Sequence, residues 1–140
     1  MVYFNYRPVL ASGCFDSIHL GHLRYLSAAR ALCRDVEPFI VAVACDDYVL
    51  RAKGRRPRFT LDERIEALVR CGVADAVMRH GPEGAADAIR FVRPRVFVKG
   101  RDWFGCVPAD VLEACGNVGA VVQLVDSGFD RHTSDALSAE

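Results

Sequence analysis

No apolar run in this 140-residue chain approaches the roughly 20 residues needed to cross a bilayer as a helix. Nor does the chain open on a basic stretch followed by an apolar core, the mark of a secretory leader. Both absences argue against a membrane partner and set a reduced cytoplasmic location as the expectation. Six cysteines stand at 14, 33, 45, 71, 106 and 115 without forming a C-x-x-C pair. A disulfide framework is not expected in a chain with this much apolar material. Cys33, Cys45 and Cys71 lie in apolar patterns and are expected as small core residues. Charge of one sign is also lacking: 18 basic residues balance 18 acidic ones, which leaves no electrostatic footprint for nucleic acid. There are no internal repeats, low-complexity segments or linkers, so residues 1–140 are expected to form a single domain. What remains is 51% hydrophobic and 26% charged, the composition of a globular protein.

Strand and helix patterns alternate along the chain. Pro8-Val-Leu-Ala-Ser12 reads as a buried strand and Leu20 to Cys33 as a helix. Pro38 to Cys45 is a β-branched apolar run, as in a central parallel strand covered on both faces. Asp46 to Arg51 reads as a helical turn and Ala52 to Phe59 as a Gly/Pro/Arg loop. Thr60 and Glu63 form a capping box, and Ile65, Leu68, Val69 and Cys71 are expected to line the buried face of the helix that follows. A third strand is expected near Ala76, a helix over Glu83 to Arg90, a fourth strand over Arg95 to Lys99, and a helix from Pro108 to about Cys115. A fifth strand falls within Val118 to Val125, and a last helix is expected from His132. This alternation predicts an α/β, Rossmann-like doubly wound sandwich with a five-stranded, mostly parallel sheet. In such sheets ligands bind beyond the carboxyl ends of the strands.

The densest chemistry lies between the first strand and the first helix, in Gly13-Cys-Phe-Asp-Ser-Ile-His-Leu-Gly-His22. A glycine turn leading into a helix N-terminus is where α/β proteins place phosphate. His19 and His22, three apart, fall on one face of the first helical turn. Two imidazoles beside exposed helix N–H groups suit charge developing on a phosphoryl group. Two other readings of this stretch are a structural glycine turn with a satisfied histidine pair, and a zinc site from Cys14, His19 and His22. No further His–Cys pair stands at ligand spacing.

Gly13, Phe15, Asp16, His19, Gly21 and His22 match G-x-F-D-x-x-H-x-G-H, and the segment resembles the signature of the cytidylyltransferase-like nucleotidyltransferases. Several other stretches extend the resemblance. Arg51-Ala-Lys-Gly-Arg-Arg-Pro57 is similar to the R-x-K-G-x-x-R-P loop of the heptose-phosphate adenylyltransferase branch, about one residue shorter. Val98-Lys-Gly-Arg-Asp-Trp103 resembles V-K-G-G-D-Y of the same branch through Lys99, Gly100 and Asp102. Trp103 instead matches the M-G-D-D-W of the glycerol-3-phosphate cytidylyltransferase branch. Arg64, in Asp62-Glu-Arg64, is similar to an arginine that begins the family's next helix. A cation at a helix start opposes the helix dipole, so a ligand or a surface pair would each account for it. At the end of the chain, His132-Thr133-Ser134 resembles the family's I-S-T-T step with His132 in place of the first serine. Ser127 stands where cytidylyltransferases carry an arginine, which favours the adenylyl branch.

The resemblance runs from about Val9 to Leu137. It implies transfer of a nucleotidyl group from a nucleoside triphosphate, ATP before CTP, to a phosphorylated small molecule such as heptose 1-phosphate, with release of pyrophosphate. It implies catalytic roles for His19, His22 and Lys53. It implies nucleotide binding by Gly13, Cys14, Phe15, Asp16, Gly21, Lys99, Gly100, Asp102, Thr133 and Ser134. Arg56, Arg64 and His132 are further candidates for phosphate or substrate. Mg²⁺ is expected to arrive with the triphosphate, since no clustered carboxylates suggest a protein-built cage. The resemblance also implies a homodimer. The alternatives are a CTP-dependent glycerol-3-phosphate cytidylyltransferase-like enzyme and a nucleotide-binding regulatory module of low turnover.

Overall fold

The structure, a computed structural model, describes residues 6–126. The elements are β1 (Val9–Gly13), α1 (Leu20–Arg30), β2 (Phe39–Ala44), α2 (Asp46–Lys53), α3 (Leu61–Cys71), β3 (Ala76–His80), α4 (Ala86–Val92), β4 (Val96–Gly100), α5 (Ala109–Val118) and β5 (Val121–Val125). The five strands form one sheet in the order β3-β2-β1-β4-β5. Every pairing is parallel, so the mostly parallel sheet expected from the sequence is entirely parallel. The helix expected from His132 lies outside the described residues.

The strands alternate their side chains between two cores. Val9, Ala11, Val41, Val43, Val96 and Val98 meet Tyr25, Leu26 and Ala29 of α1 and Leu68 of α3. Leu10, Ala42 and Phe97 meet Ala88 and Ile89 of α4 and Val111, Ala114 and Cys115 of α5. This double cover explains why the central strands read as unbroken apolar runs. Among the described residues no helix is long and apolar enough to cross a membrane.

Three expectations need correction. Helix α2 runs on through Lys53 and stops at Gly54, whose φ of +74° suits glycine and whose N–H reaches Leu50 O at 2.8 Å. Lys53 therefore closes a helix and does not sit in the basic loop. On α3, Val69 is 59% exposed and Cys71 is also exposed. The inward stripe is Leu61, Arg64, Ile65 and Leu68, with Arg64 and Leu68 fully buried. Among the cysteines, Cys14 and Cys115 are the buried ones, while Cys33 and Cys45 are only partly covered.

The amino edge of the sheet is tied by two carboxylates. Glu37 receives both arms of the Arg95 guanidinium, at 2.7 and 2.8 Å, and the Arg34 amide at 2.8 Å. Asp75 accepts from the Phe39 amide at 2.7 Å and from Arg30 at 2.8 Å. The Arg95 bond holds Glu37 below the usual carboxylate range, and the Phe39 amide does the same for Asp75. The unfolded chain binds these protons at higher pH than the folded one. Their stabilisation is thus complete above the ordinary carboxylate range and is lost as pH falls through it, below about pH 4. Urea titrations at stepped pH should show this loss. Glu37→Gln should flatten the acid limb and lower the plateau; an unchanged limb would remove Glu37 from the account.

Candidate active site

The signature turn is shaped by an aromatic ring. Phe15 has a φ of +52°, a conformation that L-residues seldom adopt. It turns its ring into the core, where it is 1% exposed. The ring lies 5.4 Å from that of His22 and 6.4 Å from that of Tyr25. A Cβ on Gly13 would come within 2.9 Å of it, so the glycine at the end of β1 is what admits the ring. Phe15 in turn forms the floor under His22.

His19 is the N-cap of α1, with Gly21 and His22 buried in the first turn. The two imidazole centroids are 3.8 Å apart, with 31° between their planes. The one-face placement expected from their spacing is present. The His19 amide donates to His22 Nδ1 at 3.2 Å. A nitrogen that accepts an N–H carries no proton of its own, so neutral His22 holds its proton on Nε2. The backbone thereby makes Nε2 a donor.

Asp16 accepts the amides of Arg58 and Phe59 at 2.9 and 3.0 Å, with the Arg55 guanidinium 3.8 Å away. Its carboxylate ties the basic loop to the signature turn. Arg56 is exposed on that loop and Lys53 is half-buried at its base. A hollow of about 460 Å³ opens beside the turn, against α3. Several polar groups in its wall already have partners: Glu63 serves the Thr60 amide at 2.9 Å, and Arg70 pairs with Glu66 at 2.8 Å.

Arg64 has an internal role. It is 1% exposed and donates to the carbonyls of Cys14 (2.8 Å), Ala44 (2.7 Å) and Phe59 (3.0 Å) and to Asp46 Oδ1 (2.5 Å). It joins the residue after β1, the last residue of β2, the start of α2 and the entrance to α3. Neither a ligand contact nor a surface pair describes this guanidinium, which is held by three main-chain oxygens and the Asp46 carboxylate. The Leu61-Arg64-Ile65-Leu68 spacing was the available signal, since it places Arg64 on the apolar stripe.

β1 and β4 pair from Val9–Val96 to Ala11–Val98 and then part. Two side chains bridge the gap at this switch point. Tyr25 Oη lies 2.8 Å from Val98 O and 3.0 Å from Ser12 O. Lys99, 8% exposed, donates to Ser12 O at 2.9 Å and holds its ammonium 4.4 Å from the centroid of the Trp103 ring. Sequence reasoning had no signal for Tyr25, which reads as one more apolar helix position. Asp102 stands on the turn after β4, and a Cβ on Gly100 would come within 2.7 Å of its Oδ1. Ser127, His132, Thr133 and Ser134 lie outside the described residues. Within the described residues no group of three His, Cys, Asp or Glu side chains could hold a metal ion; Cys14, His19 and His22 are not gathered as a zinc site.

His80, which the sequence reading passed over, ends β3 beside this region. It is 4% exposed, and its Nδ1 lies 3.0 Å from Gly81 O. Burial pushes its pKa below the usual histidine value.

A family profile described as cytidylyltransferase-like matches residues 10–137. The chain belongs to this family of nucleotidyltransferases. Its relatives include two proteins called bifunctional protein HldE. That of Pseudomonas fluorescens (strain Pf0-1) is 36% identical over 126 residues, 88% of this chain and 26% of that protein. That of Gluconacetobacter diazotrophicus is 37% identical over 136 residues, 95% of this chain and 28% of that protein. The chain thus spans about a quarter of the length of these relatives. Among solved structures, a lipopolysaccharide core biosynthesis protein from Thermoplasma volcanium GSS1 superposes with a TM-score of 0.69 at 26% identity. That match covers 86% of this chain and 94% of the other. As a cytidylyltransferase-like domain, the chain presents its signature histidines where the sheet order opens a crevice beside β1.

Proposed function

We propose that this protein transfers a nucleotidyl group from ATP to a sugar phosphate such as heptose 1-phosphate. A phosphate oxygen of the acceptor attacks the α-phosphorus in line. The new P–O bond forms as the bond to the bridging oxygen breaks, and pyrophosphate leaves with the electron pair. The observation that carries this reading is the His19–His22 pair at the start of α1, with His22 Nε2 made a donor by the His19 amide. Phosphoryl transfer needs position and charge neutralisation more than a covalent catalyst. The imidazoles donate hydrogen bonds to the leaving group as its negative charge grows, and the α1 N-terminus adds its dipole. Lys53 and Arg56 supply mobile cations at the rim. Lys99, Gly100 and Asp102 flank the nucleotide side, with Thr133 and Ser134 as further phosphate donors. Mg²⁺ enters as part of the triphosphate substrate. The reading places the enzyme in the cytoplasm, as a homodimer.

Support for a sugar acceptor comes from the HldE relatives and from the lipopolysaccharide core biosynthesis protein that shares the fold. ATP is favoured by Val98-Lys99-Gly100 and by Ser127; Trp103 favours CTP. A mismatched base edge leaves buried polar groups unpaired, at about 1–3 kcal/mol, or roughly tenfold to hundredfold in affinity. Pyrophosphate release should therefore be fastest with ATP and a sugar 1-phosphate when four nucleoside triphosphates are screened against sugar and polyol phosphates. Highest turnover with CTP and glycerol 3-phosphate would establish the other branch. Tight nucleotide binding without turnover on any acceptor would establish a regulatory module.

A further inference from the structure

The side chains at the carboxyl edge of the sheet divide between its two faces. Met78 of β3, Ala42 of β2, Leu10 of β1 and Phe97 of β4 all belong to the core under α4 and α5. Strand side chains repeat their face every second residue. Two residues further on, His80, Ala44, Ser12 and Lys99 therefore point to that same face. His80 pairs with Ala44 in register, and Ser12 pairs with Ala42. Ser12 thus stands two residues behind Ala44 in this register, and next to Ala44 lie Cys14 and Val49, a small buried cluster with Tyr48 of α2 packed against it.

The His80 ring is oriented by its surroundings. A carbonyl can only accept, so the 3.0 Å contact with Gly81 O makes Nδ1 the protonated nitrogen. The lone pair of the neutral ring is then on Nε2. Tyr48 of α2 packs edge-on against the ring, with centroids 5.0 Å apart. Tyr48 is itself seated over Gly84, where a Cβ would lie 3.4 Å from its ring. Burial lowers the imidazole's pKa; the Gly81 carbonyl opposes this, Lys99 and Arg64 reinforce it, and Asp87 in the first turn of α4 opposes it. The result is a ring fixed in place beside an aromatic wall, whose neutral form presents Nε2 as a hydrogen-bond acceptor suited to a hydroxyl donor.

We propose that His80 Nε2 accepts a hydrogen bond from a hydroxyl of the phosphorylated acceptor, selecting a polyol long enough to reach β3 from the signature turn. The inference rests on the nucleotidyltransferase reading above. The ribose of the nucleotide is the other source of hydroxyls, but its side of the crevice is the β1–β4 switch point, with Lys99 and Trp103. His80 lies in the opposite direction, two strands from β1. Two strand spacings are roughly 10 Å, a reach that suits a hexose or heptose phosphate better than a three-carbon one.

The test compares wild type with His80→Leu and His80→Gln. The acceptors are D-glucose 1-phosphate, D-mannose 1-phosphate, heptose 1-phosphate and glycerol 3-phosphate, with ATP. His80→Leu should raise KM for the best sugar phosphate by about tenfold to hundredfold, with kcat little changed and ATP affinity by calorimetry unaltered. His80→Gln should recover part of the loss. Removing the contacted hydroxyl from the acceptor should cost wild type the same factor and cost His80→Leu nothing more. An unchanged KM in His80→Leu overturns the assignment, and so does an equal loss of ATP affinity. Should His80→Leu fail to fold, the monodeoxy acceptors decide on wild type alone, and uniform KM values across the series overturn the proposal. Absence of turnover with every sugar phosphate in wild type would instead overturn the function reading, and this inference with it.

Discussion

His19→Ala and His22→Ala should each lower kcat by about a hundredfold or more, with nucleotide affinity little changed. The asymmetry follows from when the interaction matters. In the proposed reaction the ground-state triphosphate would keep other partners in the α1 amides and the rim cations, whereas charge on the departing pyrophosphate would grow only during transfer. A well-aimed donor to such charge is worth about 3 kcal/mol. The structure adds a sharper variant. His22 Nδ1 serves the His19 amide, so truncation removes a backbone contact as well as a donor. His22→Asn offers an amide oxygen to that N–H but nothing at the Nε2 position. It should fold as well as wild type and still lose turnover. Single-turnover kinetics with calorimetry separate the two contributions. Near-normal kcat in His22→Asn would take Nε2 out of the chemistry.

Arg64→Ala should be the most destabilising single change outside the hydrophobic cores, at about 3 kcal/mol or more, because buried carbonyls that lose their donor cost about 1–3 kcal/mol each. Its guanidinium satisfies Cys14 O and Ala44 O at the carboxyl edge and neutralises Asp46. Without it, carbonyls at the ends of β1 and β2 lose their donors in a site closed to solvent. Arg64→Lys should recover little, because one ammonium cannot reproduce a planar fork that spans several segments. Asp46→Asn should cost much less, since the Asp46 side chain is 37% exposed and water can replace the lost charge. Urea unfolding at neutral pH would measure all three. A loss below about 1 kcal/mol in Arg64→Ala would mean that the carbonyls find water and that the charge is not essential to the edge. Because Cys14 belongs to the signature turn, a folded Arg64 variant should also show weakened turnover.

Several features were legible because they depend on residues close in sequence. The capping box at Thr60 and Glu63 forms as expected, with reciprocal bonds at 2.9 and 3.2 Å. Pro108 caps α5. The continuous apolar runs became doubly covered parallel strands. The six fixed positions of the signature likewise specify a local strand–turn–helix, and its histidines meet on one face. Val69 and Cys71 were misplaced because apolar character was counted as burial. The stripe follows the 3.6-residue period through Arg64, and it is the partners of that guanidinium that compensate its burial.

The sequence by itself determined the strand–helix alternation, the strand–turn–helix form of the signature, and the family. Each of these is written in spacing and composition over a few tens of residues. Tertiary structure alone decided which polar side chains hold the carboxyl edge of the sheet. Arg64 went to carbonyls from three separate segments, and Tyr25 and Lys99 went to the gap where β1 and β4 part. His80 was placed on the same sheet face as Lys99 from 19 positions away in sequence. The physical reason is that a hydrogen-bonding group is satisfied by whatever lies within about 3 Å of it. For residues at strand ends, that neighbourhood is assembled from chain segments with no sequence relation to one another.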